Sequence, residues 1–248
     1  LLRYHSPCER WDQCVLEAAS FAENDPSMPI AFSPDSSRIA FFSESCVEIW
    51  SVKCGIPIDS FELLSIGENL LFSPNGKHIA LIVDAASIWL YDTVAESLDY
   101  VLETPGYEID RFLFSPNGLF IVSISDDQVN VWTAAEAELY WTLTARDLHW
   151  SLAERAENPG PGPLKAIHFD VNWLEVSSDS SLIATVSSDH VFKLWNIEKK
   201  SLHFRIPLEG GDCSRTLGFS ANQDLIIVQR MKVTSWDYKS NKVNTATL

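Results

Sequence analysis

A chain of 248 residues, 46% hydrophobic and 11% aromatic, is long enough to bury roughly 70–75% of its unfolded surface, which excludes a disordered tail. With 10 glycines and 12 prolines, collagen-like and low-complexity classes are excluded as well. Eighteen basic against 34 acidic residues leave a net charge of −16, which repels phosphate backbones and anionic lipid, so neither nucleic acid nor a membrane is an expected partner. The best apolar runs, such as Ile79 to Val83, reach five residues, which is strand length and not membrane length.

In chain order, residues 1–29 read as a leading segment with an outer edge strand at about 11–17. The start at Leu1 reads as an excised or truncated end. A repeat takes over at Ile30. The stretch Ile30-Ala31-Phe32-Ser33-Pro34-Asp35 recurs as Leu70-Leu71-Phe72-Ser73-Pro74-Asn75 and as Phe112-Leu113-Phe114-Ser115-Pro116-Asn117, and more faintly at Leu174 to Asp179 and Leu217 to Asn222. An aromatic marker, Trp50, Tyr91, Trp132, Trp195 and Trp236, steps by 41, 41, 63 and 41. The unit is therefore about 41 residues, with one insertion of about 21 between the third and fourth copies.

Each copy carries the marks of four short antiparallel strands. The first ends in a Ser-Pro-Asp/Asn turn, where proline presets one φ and asparagine tolerates the next. The second (Ile39 to Ser43, Ile79 to Val83, Phe120 to Ser125, Leu182 to Ser187, Leu225 to Gln229) is rich in β-branched and aromatic residues. The third closes on the aromatic marker, and a more polar fourth follows. The fold class expected is all-β, a β-propeller of four-stranded antiparallel blades over residues 30–248, with blades at about 30–64, 70–102, 112–143, 174–208 and 217–248. Five blades suit a five-bladed ring, a ring with an extra edge, or an open arc of a larger propeller. The insertion, about 144–165, predicts a short amphipathic helix over Leu148 to Glu157 and then a Pro-Gly loop. Leu148 and Leu152 would dock on a neighbouring blade, and deletion of Arg146 to Gly162 is expected to leave the scaffold folded.

The turns, the closing tryptophans and the pair Trp236-Asp237 resemble the WD-repeat family, with Trp195-Asn196 the nearest variant. Asp126 and Asp189, each six residues before a marker tryptophan, fit the same pattern, whereas Glu44, Ala85 and Arg230 stand there in the other copies. The Gly-His pair of the family is missing from every copy, which implies a reduced hydrogen-bond network and a looser fold. Trp11 to Glu17, together with Pro29 to Ala40, is similar to the junction where the repeats begin in fungal NACHT-containing NLR-type proteins, signalling ATPases whose repeats form the ligand-sensing end.

No catalytic constellation emerges. Six histidines and five cysteines fall at no metal-ligand spacing, and no nucleophile elbow, phosphate loop or dinucleotide fingerprint is present, so neither metal nor cofactor is expected. The odd cysteine count argues for a reducing, cytoplasmic setting. Turns and inter-blade loops collect Glu44, Glu68, Asp84, Glu103, Glu108, Asp126, Asp127 and Asp189, which point to a protein or peptide partner with a basic face. Trp150, inside the insertion, reads as a partner anchor or as a local cap on the propeller wall. The resemblance implies a non-enzymatic interaction scaffold or the sensing repeats of a NACHT/NLR-type signalling protein. The alternatives are a stand-alone WD-repeat adaptor in a cytoplasmic or nuclear complex, or a propeller enzyme with a central-funnel active site, which would need inward-facing carboxylates or histidines where these strands carry Ile, Val, Leu, Phe and Ser.

Overall fold

A computed structural model describes residues 3–4, 16–17, 29–43, 46–63, 68–104, 108–125, 128–148, 171–187, 191–207, 215–220, 224–229, 232–237, 240 and 242–247. Two short strands, β1 (Arg3–Tyr4) and β2 (Leu16–Glu17), pair with each other. The rest of the described chain is five four-stranded sheets and one helical turn. The first sheet is β3 (Ile30–Phe32), β4 (Arg38–Ser43), β5 (Cys46–Ser51) and β6 (Pro57–Glu62). The second is β7 (Glu68–Phe72), β8 (His78–Val83), β9 (Ser87–Asp92) and β10 (Ser97–Glu103). The third is β11 (Ile109–Phe114), β12 (Phe120–Ser125), β13 (Gln128–Thr133) and β14 (Leu139–Thr144), followed by α1 (Ala145–Leu148). The fourth is β15 (Val171–Val176), β16 (Leu182–Ser187), β17 (Val191–Asn196) and β18 (Ser201–Pro207). The fifth is β19 (Arg215–Phe219), β20 (Leu225–Gln229), β21 (Lys232–Asp237) and β22 (Lys242–Thr247). Strands lie in sequence order within every sheet and pair antiparallel, so the chain is all-β and each sheet is a propeller blade.

One turn chemistry is copied from sheet to sheet. Ser33 Oγ donates to Asp35 Oδ1 (2.6 Å) and accepts from the N–H of Arg38 (2.9 Å), bracing the first hairpin. The same pair of bonds runs through Ser73 with Asn75 and His78, Ser115 with Asn117 and Phe120, and Ser177 with Asp179 and Leu182. These hydroxyls are buried, which explains serine at a position a larger side chain would crowd. The residue three after the serine always turns left-handed: Gly76 (φ +69°) and Gly118 (φ +72°), but Ser36 (φ 58°) and Ser180 (φ 59°) in the other two. A second recurring left-handed position lies five residues after the aromatic marker, at Gly55, Glu96, Ala137 and Lys200. Because a non-glycine residue there carries about 1–2 kcal/mol of strain, partly offset by the freer unfolded chain of glycine, Ala137→Gly is expected to stabilise by about 0.5–1 kcal/mol. A higher urea midpoint with an unchanged slope is the readout.

The residue after the marker closes the next turn. Asp92 Oδ1 accepts from the N–H groups of Val94 (2.8 Å) and Ala95 (2.9 Å), Asn196 Oδ1 from Lys199 (2.7 Å), Asp237 Oδ1 from Ser240 (3.1 Å), and Ser51 Oγ from Cys54 (3.2 Å). A short polar acceptor at this place is what the turn requires. In the first four sheets the pairing of third with fourth strand also slips by one residue beside the marker, a β-bulge that tightens the local twist.

The strands group into two compact units, residues 1–111 and 112–248. Middle strands are apolar on both faces because sheets stack face to face, so β8 and β16 are buried nearly throughout while β10 is mostly exposed. In the first unit Ala40, Phe42, Val47 and Ile49 of one sheet pack on Leu70, Ile79 and Leu81 of the next. Arg38 crosses between them, its guanidinium donating to the Gly76 carbonyl (2.6 Å) and to Thr93 Oγ1 (2.9 Å). In the second unit one core joins the third and fourth sheets and another joins the fourth and fifth.

The helix starts earlier than the sequence suggests. It occupies Ala145–Leu148 and begins three residues before Leu148 because the Asp147 carboxylate reaches back to the N–H (2.9 Å) and hydroxyl (2.8 Å) of Thr144, the reciprocal half of a capping box. Leu152 and the remainder of the expected helix lie outside the described residues. Leu148 is buried with Val129, Leu143, Leu174 and Val176, so a deletion starting at Arg146 removes a core residue, and an intact scaffold is no longer the expected result.

Candidate functional site

Of the acidic residues singled out from the sequence, Asp84, Glu103 and Glu108 share one end of the second sheet. Asp84 sits exposed in the β8–β9 turn with φ 56°. The chain leaving β10 is tied to that turn: the Thr104 N–H and Oγ1 donate to the Ala86 carbonyl (3.0 and 3.1 Å), and the Ile109 N–H donates to the Ala85 carbonyl. Glu103, in register with Ser87, and Glu108 are thereby brought to the same end, both exposed. Glu68 pairs with Ile82, placing its backbone near this end too. Glu44, Asp126, Asp127, Trp150 and Asp189 lie outside the described residues. Residues 1–111 hold 6 basic and 18 acidic residues, a net −12, so the unit bearing this end carries most of the negative charge.

At the other end of the same sheet the structure assembles a group that sequence spacing hides. His78, Asp92 and Asp99 come from three strands and place one ligand atom each within 4.8 Å of one another. Their chemistry is already committed locally. His78 Nε2 lies 2.9 Å from Asp99 Oδ2, and Lys77 Nζ lies 2.9 Å from Asp92 Oδ2, whose other oxygen caps the turn. The Ala95 N–H, then the Lys77 ammonium, hold Asp92 well below the usual carboxylate range. Asp35 is lowered to about 2, chiefly by the Ser33 hydroxyl and then by Ser37. A carboxylate depressed in the folded state adds stability above its ordinary pKa and loses it as pH falls through the folded value. Stability is therefore expected to drop between about pH 4 and pH 2, and Asp92→Asn, which keeps the cap but not the charge, should flatten that slope in urea titrations at stepped pH.

The marker aromatics find hydrogen bonds without the missing histidines. Trp132 Nε1 donates to Ser123 Oγ (3.0 Å) and Trp195 Nε1 to Thr185 Oγ1 (2.9 Å), both across to the neighbouring strand. Trp50 Nε1 turns to Glu48 Oε2 (2.7 Å), and Tyr91 OH donates to Asp59 Oδ2 (2.8 Å). In the first four sheets the marker aromatic is anchored by a hydrogen bond, but the first two anchor it on carboxylates, one of them supplied by the adjacent sheet. Burial, then Asp59, raises the Tyr91 phenol, so it stays a donor.

Residues 164–196 match the family described as WD domain, G-beta repeat. The matched stretch takes in the Ser177–Asp179 turn and ends on Trp195-Asn196, the tryptophan bonded to Thr185 and the asparagine that caps the next turn. A WD40 repeat is therefore present in the fourth sheet, and the turn and marker geometry of the other sheets follows the same plan. No curated protein matches the chain.

Proposed function

We propose that the chain is a non-enzymatic protein-interaction module whose partner presents a basic face. The WD40 repeat at residues 164–196 carries the reading, since such repeats generally serve as scaffolds for protein–protein contacts. The acidic end formed by Asp84, Glu103 and Glu108 supports the charge of the partner, because rim carboxylates steer a cationic surface into encounter. Within this reading the module is the sensing repeat region of a signalling protein of the NACHT/NLR type, on the likeness of residues 11–17 and 29–40 to that junction. Five cysteines, an odd number at no framework spacing, suit a reducing, cytoplasmic setting.

The test is affinity capture with the chain as bait, followed by reconstitution with the purified partner. Saturable binding whose on-rate falls on charge reversal at Asp84, Glu103 and Glu108, and falls again with added salt, is the expected result. A partner with an acidic contact surface, or an on-rate indifferent to all three reversals at low salt, would overturn the assignment.

A further inference from the structure

Between the outer strand of the first sheet and the third and fourth strands of the second lies a cavity of about 310 Å³. Its apolar wall is aromatic. Phe61 stacks on Tyr91 with ring centroids 3.9 Å apart and planes 16° from parallel, and Trp89, two residues before Tyr91 on β9, continues the same face of the sheet. Its polar wall is anionic. Asp59 holds the Tyr91 hydroxyl, while Glu62 and Glu96 are exposed and, among the described residues, make neither hydrogen bond nor ion pair. Among the described residues no lysine or arginine lines the cavity, in a unit already at −12.

Flat rings beside unpaired carboxylates are complementary to one kind of side chain. A guanidinium is planar, stacks on an aromatic face and offers a fork of N–H donors to carboxylate oxygens; an ammonium is a point charge that does neither as well. A neutral ligand would leave both glutamates uncompensated. We propose that this cavity receives an arginine side chain presented by a basic peptide, its guanidinium stacked on the aromatic wall and held by Glu62 and Glu96. The inference rests on the interaction-module reading and adds a residue-level partner to it.

The probe is a labelled nine-residue peptide, acetylated and amidated, with one central arginine flanked by lysines, titrated against the full chain by fluorescence polarisation. Replacing the central arginine by citrulline, which is nearly isosteric and neutral, should weaken binding about tenfold, and replacing it by lysine by less. The pair Glu62→Gln and Glu96→Gln, both exposed, should bring the arginine peptide to the citrulline level without moving the unfolding midpoint. The pair Glu136→Gln and Glu198→Gln, exposed on the other unit, should leave it unchanged. Equal binding of the arginine and citrulline peptides, or equal losses in the two glutamate pairs, overturns the site and shows diffuse attraction to an acidic surface. If a captured protein still binds with unchanged affinity to the Glu62/Glu96 variant, the cavity is lost as a site and the interaction module stands. If neither peptide nor protein binds the chain, both readings fall.

Discussion

Trp132→Ala is expected to destabilise the protein by about 3–5 kcal/mol, the range for deleting a large aromatic from a core. Trp132 is only 6% exposed, closes β13 and donates its indole N–H to Ser123, a hydroxyl with no exposed surface. Alanine would leave a cavity and also strip the buried hydroxyl of its donor, two costs that add. Trp132→Phe separates them: the ring volume is largely kept and the donor lost, so about 1–2 kcal/mol is the expected share of the hydrogen bond. Urea titrations of the two variants give both numbers. A cost below about 1 kcal/mol for alanine, or loss of partner binding at unchanged stability, would mean that the tryptophan belongs to a binding surface and not to the scaffold.

The blades were legible because each is punctuated by residues with single jobs. A serine that must both donate and accept, a proline and an Asx close the first hairpin, and an aromatic followed by a short polar cap closes the third strand, so strand ends read from the sequence fall within a residue of the structure at β12, β16 and β20. Interiors needed no more than apolar runs. Contacts between strands distant in sequence were not legible. Nothing in the spacing of His78, Asp92 and Asp99 shows that three strand ends will meet, and nothing marks Asp59 as the partner of Tyr91. Two signals were present and went unread. Thr144 and Asp147 are a capping box that starts the helix earlier than the apolar spacing of Leu148 and Leu152 suggests. Glu48 sits two residues from Trp50, hence on the same face of β5, where its carboxylate takes over the bond that the missing histidine network would have anchored.

The convergence of Asp84, Glu103 and Glu108 was legible only as a count of acids near turns. Their meeting depends on backbone bonds from Thr104 and Ile109 to the β8–β9 turn. Apart from the Thr104 hydroxyl, these bonds involve no particular side chain, so the sequence carries no residue pattern for them. The aromatic and acidic cavity was hidden for a related reason. Phe61 and Tyr91 are thirty residues apart and read separately as ordinary strand aromatics, and only the stacking of two sheets turns them into one wall.

The insertion supplies the other large effect. Leu148→Ala is expected to cost about 3–5 kcal/mol, near the upper end for a buried leucine, because the site cannot collapse around the missing side chain. The Leu148 carbonyl is held by the Ser187 hydroxyl (2.6 Å) and by the Lys193 ammonium, which also takes the Asp147 carbonyl (3.0 Å). Lys193 itself is 2% exposed, so these bonds also compensate an ammonium brought out of water. The backbone at Leu148 is thus pinned from the fourth sheet while its side chain fills the core between the third and fourth, and truncation leaves a void with fixed walls. Lys193→Met in the same background tests the pinning: once the ammonium is gone the helix can sink toward the void, so the double variant should lose less than the sum of the two single ones. Strict additivity would show that the carbonyl bonds do not hold the helix in place, and a Leu148→Ala cost below about 1 kcal/mol would show that the start of the insertion is not docked on the sheet at all.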